Sequence, residues 1–220
     1  MIRIILLGPP GCGKGTQAAL LEKSHHLRQI STGGILREAI ARTSPIGEEA
    51  KHYIDNGLLV PDDIVNRLVA EELRRERPEA FLLDGYPRTL QQATVLEPLL
   101  DALELPLTHA ILFEVDDEEV VPRISGRRVC LTCHATYHLE VNPPATANRC
   151  DKCGADLVHR SDDHEETIRG RLKEFHQNIE ELIPFYCERK LLRTVAGEGT
   201  IEEVQQRILD ALQSQAGARC

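Results

Sequence analysis

A glycine-rich stretch near the start of the chain, GPPGCGKGT, constrains the fold more than any other part of the sequence. It follows the apolar run Ile4–Leu7, which has the length of a buried parallel strand, and a helical pattern follows it. Strand, glycine loop and helix in this order are typical of a phosphate-binding loop, where backbone N–H groups and a helix N-terminus converge on an anion. The stretch therefore predicts that Lys14 reaches the phosphates of a nucleotide. One residue departs from the general pattern GxxxxGK[ST], because Gly15 separates Lys14 from Thr16.

The remaining chain alternates between apolar runs of strand length and segments with helical periodicity. Further strands are predicted at 80–84, 110–115 and 191–195. Residues 29–34 are interpreted as a turn that caps a helix, and 45–47 as the end of that helix. The predicted helices cover residues 17–23, 35–42, 48–56, 64–73, 89–100, 118–125, 168–186 and 201–212. This alternation predicts an α/β fold with a parallel sheet and helices on both faces.

The strand that ends at Asp84 carries the next candidate residue. An aspartate at the end of a buried strand, downstream of a phosphate loop, is the expected ligand of Mg²⁺ or of its water molecules. An aspartate that caps the following turn is the alternative. Gly85 and Arg88 follow at the carboxyl edge of the sheet, where open α/β sheets bind ligands.

Four of the seven cysteines form two CxxC pairs, Cys130 with Cys133 and Cys150 with Cys153. Sixteen residues separate the pairs, which is the spacing of a structural zinc site built from two thiolate-bearing turns. Four thiolates close such a site and leave no position for a substrate, so we interpret it as structural. The surrounding region, 126–163, has few large apolar side chains, and a metal would replace the core that it lacks.

Arginines are the second group of candidates in this acidic chain. Guanidinium groups bind phosphate bidentately and neutralise charge on a transferring phosphoryl group, so arginines near the ends of elements are candidate phosphate ligands. These are Arg37, Arg88, Arg123, Arg127, Arg160 and Arg171. The acidic pair Asp162–Asp163 is most simply a solvated start of a helix, and its alternative role is to pair with arginines elsewhere.

Composition narrows the class of protein. The formal net charge of −9, with four Phe, four Tyr and no Trp, argues against a general binder of nucleic acid or of membrane surfaces. No apolar run has the length needed to cross a bilayer, and the first seven residues lead straight into the glycine loop. We therefore expect a cytoplasmic protein.

Together these motifs resemble the adenylate kinases, in the long form that carries a zinc-binding lid. The resemblance covers nearly the whole chain. It rests on GPPGCGKGTQ (8–17), ISTGG (30–34), LLDGYPRT (82–89), RISGRR (123–128) and SDDHEETIRGRL (161–172). The pattern of this family, GxxGxGKGT, also accounts for Gly15.

The resemblance implies Mg²⁺-dependent, reversible transfer of a phosphoryl group from ATP to AMP, which yields two ADP. It implies a P-loop three-layer sandwich with a parallel five-stranded sheet, formed by 1–30, 61–125 and 164–220. A helical insertion at 31–60 would bind the nucleoside monophosphate, and the insertion at 126–163 would form the lid with its structural Zn²⁺. We expect ATP, AMP and ADP as the partners of a monomer, with no nucleic acid and no membrane.

The resemblance also implies roles for individual residues. ATP is expected at Gly11, Cys12, Gly13, Lys14, Gly15, Thr16, Arg123, Arg127, Tyr137 and Gly199. AMP is expected at Thr32, Arg37, Val60, Gly85, Arg88, Gln92, Arg160 and Arg171, with Gln92 at the adenine edge. The catalytic set is Lys14, Asp84, Arg88, Arg127, Arg160 and Arg171, and the metal ligands are Cys130, Cys133, Cys150 and Cys153.

One residue departs from the pattern of the family. The family has Asp after Ser-Thr-Gly, where this chain has Gly34. That aspartate helps to order water molecules around Mg²⁺, so Asp84 is expected to bear more of this task here. Weaker affinity for Mg²⁺, or weaker dependence on it, is the predicted consequence.

Three alternatives stay open at this level. The acceptor can be CMP, UMP or GMP, although Thr32, Gln92 and the cysteine-bearing lid favour AMP. The chain can also be a zinc-ribbon module that binds nucleic acid and uses the nucleotide loop for regulation, which the net charge of −9 disfavours. The lid metal can be iron or cobalt instead of zinc, since thiolate sites accept all three.

Overall fold

A computed structural model of the protein describes residues 1–55, 60–133, 135–159, 163 and 165–214, without the side chains of residues 37, 54 and 55. The strands of the described part are β1 (Arg3–Leu7), β2 (Arg28–Ser31), β3 (Phe81–Asp84), β4 (His109–Glu114), β5 (Arg127–Cys130), β6 (Thr136–His138), β7 (Leu157–Val158) and β8 (Leu192–Ala196). Its helices are α1 (Lys14–His25), α2 (Thr32–Ala41), α3 (Pro45–Asp55), α4 (Asp62–Glu76), α5 (Leu90–Ala102), α6 (Asp117–Ser125), α7 (Glu165–Glu188) and α8 (Ile201–Gln213). None of these helices combines the length and the apolar character that a membrane span requires.

The central sheet has five strands in the order β2-β3-β1-β4-β8, and every neighbouring pair is parallel. Side chains alternate between its two faces, as the pleat of a strand requires. Ile5 and Leu7 pack with α4, α5 and α7 on one face, whereas Ile4 and Leu6 pack with α1 and α8 on the other. All four side chains are at most 3% exposed. These three layers confirm the predicted α/β fold with a parallel five-stranded sheet.

Two parts of the chain form small cores away from the central sheet. The first, here called the helical insertion, consists of α2 and α3, which pack on the start of α4. The second, here called the cysteine sheet, consists of β5, β6 and β7 in the antiparallel order β6-β5-β7. Both lie within the regions predicted to be insertions, while the boundaries 31–60 and 126–163 stay predictions.

The strand β2 is the main error of the sequence interpretation, which treats 29–34 as a turn. Arg28 to Ser31 pair with Phe81 to Asp84 in a parallel ladder, and α2 begins directly afterwards at Thr32. The strand has only four residues, and only Ile30 is both apolar and buried. Its pairing partner lies far along the chain, so local pattern did not indicate a strand.

The interpretation of 45–47 as the end of a helix is also wrong, because α3 starts at Pro45. Proline is favoured in the first turn of a helix, where its missing N–H costs nothing. Ser44 caps this turn, since its hydroxyl oxygen accepts a hydrogen bond from the backbone N–H of Gly47 at 3.1 Å. Other boundaries differ by fewer residues, with α1 and α7 each starting three residues before the predicted position.

Candidate active site and metal centre

The glycine loop lies at the carboxyl end of β1 and runs into α1, whose N-cap is Gly13. The first turn of α1 carries no acidic side chain, so its free N–H groups and the positive end of its dipole are left for an anion. Lys14 Nζ donates hydrogen bonds to the carbonyl oxygens of Gly8 and Pro9, each at 2.7 Å. The loop thus holds the ammonium group beside the helix N-terminus.

Two glycines of the loop serve different purposes. Gly13 has a φ of +95°, and a Cβ atom there would meet no atom within 4 Å, so space lies open beside the backbone for a phosphate. A Cβ atom on Gly11 would lie 2.4 Å from Cγ1 of Ile124, so the loop packs directly against α6. The other predicted ATP residues of the loop are the buried Cys12 and the exposed Gly15 and Thr16.

Asp84 ends β3 and lies beside this loop. Its Oδ2 atom accepts a hydrogen bond from Nε2 of Gln29 at 3.2 Å, and a Cβ atom on Gly15 would lie 3.7 Å from the same oxygen. The carboxylate therefore faces the start of α1. Its donor is the side-chain amide of Gln29 on the neighbouring strand rather than a backbone N–H of the turn that follows, which disfavours the alternative of a capping aspartate.

The oxygen atoms beside α1 fit Mg²⁺, which prefers hard oxygen ligands. Asp84 offers a carboxylate, and Thr16 offers an exposed hydroxyl in the first turn of the helix. A Cβ atom on Gly34 would make only an ordinary contact with Ser31, at 3.5 Å. Packing around the backbone therefore does not explain why this chain lacks the aspartate that the family has there.

A second cluster lies on the loop that follows β3. The carbonyl oxygen of Gly85 accepts hydrogen bonds from Oγ1 of Thr32 at 3.1 Å and from Nε of Arg88 at 2.8 Å. Gly85 has a φ of +79°, and a Cβ atom there would lie 3.1 Å from Thr32 Oγ1. Three of the residues predicted to bind AMP therefore meet at one carbonyl group.

Gln92 is held at both ends of its amide. Its Oε1 atom accepts a hydrogen bond from the backbone N–H of Arg88 at 2.7 Å, and its Nε2 atom donates to Oδ1 of Asp62 at 2.6 Å. The other carboxylate oxygen of Asp62 accepts from Oγ1 of Thr89 at 2.6 Å. Gln92 is only 3% exposed, so this network fixes where its amide points.

Four further residues are predicted to bind AMP. Val60 is half-buried and packs on the core of the helical insertion. Arg171 is half-buried on α7. Arg37 belongs to α2, but its side chain lies outside the described part of the chain, as does the whole of Arg160.

Arg127, the first residue of β5, forms a bidentate pair with Asp163. Its Nε atom donates to Oδ2 at 2.9 Å and its Nη2 atom donates to Oδ1. The side chain of Asp163 is 0% exposed, and a carboxylate buried this deeply requires such a partner. The prediction of a solvated Asp163 is therefore wrong, and the alternative that it pairs with an arginine is confirmed. Asp162 lies outside the described residues.

Arg123 on α6 contacts the loop after β8. Its Nη1 atom donates to the carbonyl oxygen of Gly197 at 3.0 Å. Arg207 on α8 holds the same loop by donating to the carbonyl oxygen of Ala196 at 3.0 Å. Gly199, with a φ of +102°, lies at the end of this loop. Arg123 therefore lies next to the loop that carries Gly199, and both residues are predicted to line the ATP site.

Tyr137 is buried inside the cysteine sheet. Its hydroxyl lies 3.6 Å from Sγ of Cys150 and accepts a hydrogen bond from the backbone N–H of Asp151 at 2.8 Å. The structure thus gives this residue a role in supporting the second cysteine turn. Its contact with ATP stays a prediction.

The two CxxC pairs come together in the cysteine sheet, and their four sulfur atoms all lie within 4.8 Å of one another. Cys130 and Cys153 are 3.4 Å apart between sulfurs, as are Cys133 and Cys150. A tetrahedral zinc ion with bonds of about 2.3 Å requires sulfur atoms roughly 3.8 Å apart. The four cysteines therefore fit a closed Zn²⁺ site.

The hydrogen bonds within the cysteine cluster lower the pKa of one thiol and raise that of another. Burial raises the pKa of Cys150, but hydrogen bonds from the Tyr137 hydroxyl and from the backbone N–H groups of Cys153 and Lys152 outweigh it, so that the pKa falls to about 6. The pKa of Cys153 is lowered by the backbone N–H of Ala155 but raised by its hydrogen bonds with the neighbouring thiols, and it rises to about 12. Four thiolates cannot share this space without a positive charge between them.

Two contacts of this site were not predicted from the sequence. Gln29 donates to Asp84 from β2, and Asp62 accepts from Gln92 at the start of α4. A strand over 28–31 would have placed Gln29 and Ser31 on one face, next to the end of β3. An acidic residue in the first turn of a helix can be predicted from the sequence, but its hydrogen-bond partner in another helix cannot.

The comparison with known proteins agrees with this arrangement. The model of the adenylate kinase family matches residues 6–191. The adenylate kinase of Geotalea uraniireducens is 45% identical over 217 residues, which are 98% of this chain and 100% of the relative. That of Symbiobacterium thermophilum is 46% identical over 214 residues (97% and 99%), and that of Clostridium perfringens is 43% identical over 214 residues (97% and 98%). The match thus spans the glycine loop after β1, the cluster of Thr32, Gly85 and Arg88 after β3, and the cysteine sheet. The chain belongs to the adenylate kinase family of phosphotransferases.

Proposed function

We propose that the protein catalyses the reversible transfer of the γ-phosphoryl group of ATP to AMP, which gives two molecules of ADP. The observation that carries this proposal is the position of two clusters at one edge of the central sheet. The loop with Lys14 follows β1, and the Thr32–Gly85–Arg88 cluster follows β3, which is the neighbouring strand. A reaction between two nucleotides needs two phosphate sites that lie side by side.

In this proposal the glycine loop binds the donor nucleotide. Lys14 would exchange the neutral carbonyl groups of Gly8 and Pro9 for phosphate oxygens, which accept stronger, charge-assisted hydrogen bonds. The backbone N–H groups at the start of α1 would bind the same phosphates. The adenine of ATP would lie against Arg123 and the backbone near Gly199, with Tyr137 nearby.

The cluster after β3 would bind the acceptor nucleotide. Thr32 and Arg88 both donate hydrogen bonds to the carbonyl oxygen of Gly85, which supports the proposal that the guanidinium of Arg88 would bind the phosphate of AMP. Gln92 would face the base. The other residues in this group are Arg37, Val60, Arg160 and Arg171.

In the transfer itself, the bonds form and break between the two nucleotides, and the protein contributes little covalent chemistry. A phosphate oxygen of AMP attacks the γ-phosphorus of ATP, the bond to the β–γ bridging oxygen breaks, and ADP leaves with that oxygen. Arg127 donates two of its five N–H groups to Asp163, and in this proposal the others would face the transferring group. Lys14, Arg88, Arg160 and Arg171 would add positive charge there. Closure of the helical insertion and the cysteine sheet over the nucleotides would exclude the water that otherwise hydrolyses ATP.

Two metal ions belong to this proposal. Asp84 and Thr16 would hold Mg²⁺ or its water molecules, with Gln29 orienting Asp84. When bound, Mg²⁺ supplies charge neutralisation at the phosphates of ATP. Cys130, Cys133, Cys150 and Cys153 would hold Zn²⁺ in a purely structural role.

A coupled assay with ATP and each of AMP, CMP, UMP and GMP tests the proposal, together with a metal analysis of the purified protein. We expect AMP to be the fastest acceptor and one zinc ion to be bound per chain. Faster turnover with another monophosphate would overturn the assignment of the acceptor.

Two variants test whether the measured turnover depends on Lys14. Lys14→Met is expected to lower kcat/KM by about 1,000-fold, because it removes a charge from the transferring phosphates. Lys23→Met, at an exposed position near the end of the same helix, is the matched control and is expected to leave turnover unchanged. The monomeric state, the cytoplasmic location and the lack of nucleic-acid binding stay predictions.

A further inference from the structure

The side-chain amide of Gln92 has two orientations of nearly equal shape. Turning it by half a revolution exchanges its oxygen acceptor with its nitrogen donor. In this protein both ends are fixed, because the backbone N–H of Arg88 can only donate and the carboxylate of Asp62 can only accept. A turned amide would place oxygen against the carboxylate and NH₂ against the backbone N–H.

Asp62 is itself held in place by the same neighbours. Thr89 donates its hydroxyl proton to Oδ2 of Asp62 at 2.6 Å, and its hydroxyl oxygen accepts from the backbone N–H of Gln92 at 3.1 Å. The hydroxyl has only one proton. Because its oxygen accepts from the backbone N–H of Gln92, that proton is left for Asp62. The three side chains thus form a ring in which every donor and acceptor has a defined direction.

The amide of Gln92 still has one N–H and one lone pair beyond these bonds. The Watson–Crick edge of adenine presents an acceptor at N1 and a donor at the 6-amino group. Hypoxanthine presents the reverse, a donor at N1 and an acceptor at O6. For a base in a fixed position, the free N–H and lone pair of Gln92 in the observed orientation can pair with only one of these two bases. The turned amide would pair with the other.

From this geometry we propose that Asp62 is a positioning residue, which fixes the orientation of the Gln92 amide and thereby sets the preference for AMP over IMP as acceptor. The proposal rests on the proposed function, in which Gln92 faces the acceptor base. Asp62 need not touch the nucleotide for this role. Its effect passes through a single hydrogen bond to Gln92.

Steady-state kinetics with ATP and either AMP or IMP test this role in the full-length protein. Asp62→Ala is expected to raise KM for AMP by about 10-fold and to lower the AMP-over-IMP ratio of kcat/KM by a similar factor, while KM for ATP stays the same. Asp62→Asn is the conservative rescue, because its amide oxygen can still accept from Gln92. It is expected to stay within about 3-fold of the unmodified enzyme in both quantities.

The neighbouring acid provides a matched control. Asp63 lies in the same first turn of α4, but its side chain is 70% exposed and its partner is Arg67 at 3.8 Å. Asp63→Ala removes the same charge from the same helix end and is expected to leave the AMP-over-IMP ratio unchanged. An equal loss of this ratio in Asp62→Ala and Asp63→Ala would overturn the proposal, as would an unchanged ratio in Asp62→Ala.

If Asp62→Ala does not fold, as judged by circular dichroism, a second pair of variants decides. Thr89→Val removes the hydroxyl that holds Asp62, whereas Thr89→Ser keeps it. The AMP-over-IMP ratio should fall by about 3-fold in the first and stay unchanged in the second, and equal ratios in both would overturn the proposal. Lack of AMP turnover in the unmodified protein would instead overturn the proposed function.

Discussion

The helical insertion and the cysteine sheet are held together in different ways. The core of the helical insertion is formed by the apolar side chains of Ala39, Ile46, Ala50, Ile64 and Leu68. The core of the cysteine sheet is formed by Cys130, Ala135, Tyr137, Cys150 and Leu157. Two of these five side chains belong to the proposed metal site, and Leu157 is the one large aliphatic side chain among the five. One insertion is therefore stabilised by packing, and the other depends on its four thiols.

The largest effect that we expect from this difference is that of metal removal. Chelation, or the substitution Cys150→Ser, should lower the melting temperature by about 10 °C, because the cysteine sheet would lose the metal ion that we propose stabilises it. Turnover at low temperature and KM for AMP should stay nearly the same. Calorimetry measures the melting temperature, and activity assays measure turnover and KM for AMP. Zinc analysis of the same sample checks that the metal has been removed.

The control for this experiment is chelation of Cys150→Ser itself, which should have no further effect. Loss of turnover at low temperature while the fold stays intact would argue for a catalytic metal, and it would remove the distinction between a structural and a chemical role.

The buried pair of Arg127 and Asp163 is the next test, since it ties the cysteine sheet to the start of α7. Asp163→Asn should lower the free energy of unfolding by about 3 kcal/mol, because it leaves the guanidinium partly buried without its charged partner. Urea denaturation measures this change. Turnover should also fall, since Arg127 loses its orientation.

The pair of Arg149 and Asp156 in the same region serves as the control. These side chains are 61% and 81% exposed and lie 3.6 Å apart, so Asp156→Asn should change the free energy of unfolding by about 0.5 kcal/mol or less. Equal effects of the two substitutions would contradict the importance that we assign to burial.

A single methyl group should disturb the helical insertion without affecting the cysteine sheet. A Cβ atom on Gly47 would lie 2.1 Å from the carbonyl oxygen of Ala39, so Gly47→Ala forces α2 and α3 apart. We expect a loss of about 2 kcal/mol in the free energy of unfolding, with a higher KM for AMP and unchanged zinc content.

Gly170 allows the same substitution in open space. It lies within α7, and a Cβ atom there would meet no atom within 4 Å. Gly170→Ala should stabilise the protein by up to about 1 kcal/mol through helix propensity. If Gly47→Ala destabilised the protein no more than Gly170→Ala, the effect at position 47 would not come from the close approach of the two helices.

The smallest effect concerns Gly34, at the start of the helical insertion. Gly34→Asp should tighten the affinity for Mg²⁺ in the presence of ATP by about 3-fold, because it adds a carboxylate next to Ser31, which pairs with Asp84 in the sheet. This affinity is measured by adding Mg²⁺ and following enzyme activity and the fluorescence of a labelled nucleotide. Gly34→Ala separates the carboxylate from the change in helix propensity, and equal results for both variants would contradict the prediction.

Local patterns in the sequence were sufficient for the glycine loop and the four cysteines, because their chemistry depends on spacing over a few residues. They were not sufficient for β2, whose residues Arg28 to Ser31 become a strand only by pairing with β3, about fifty positions later. The burial of Asp163 likewise depends on Arg127, which is 36 positions away. What the sequence could not show are contacts between segments that are distant in the chain.

The close approach of Gly11 to Ile124 has an evolutionary consequence. The two positions fill one space, so a larger residue at position 11 would overlap the side chain at position 124. The helix that carries Ile124 leads directly into the cysteine sheet. Substitutions at these two positions should therefore be correlated among descendants of this gene. A larger residue at position 11 should be accompanied by a smaller residue at position 124.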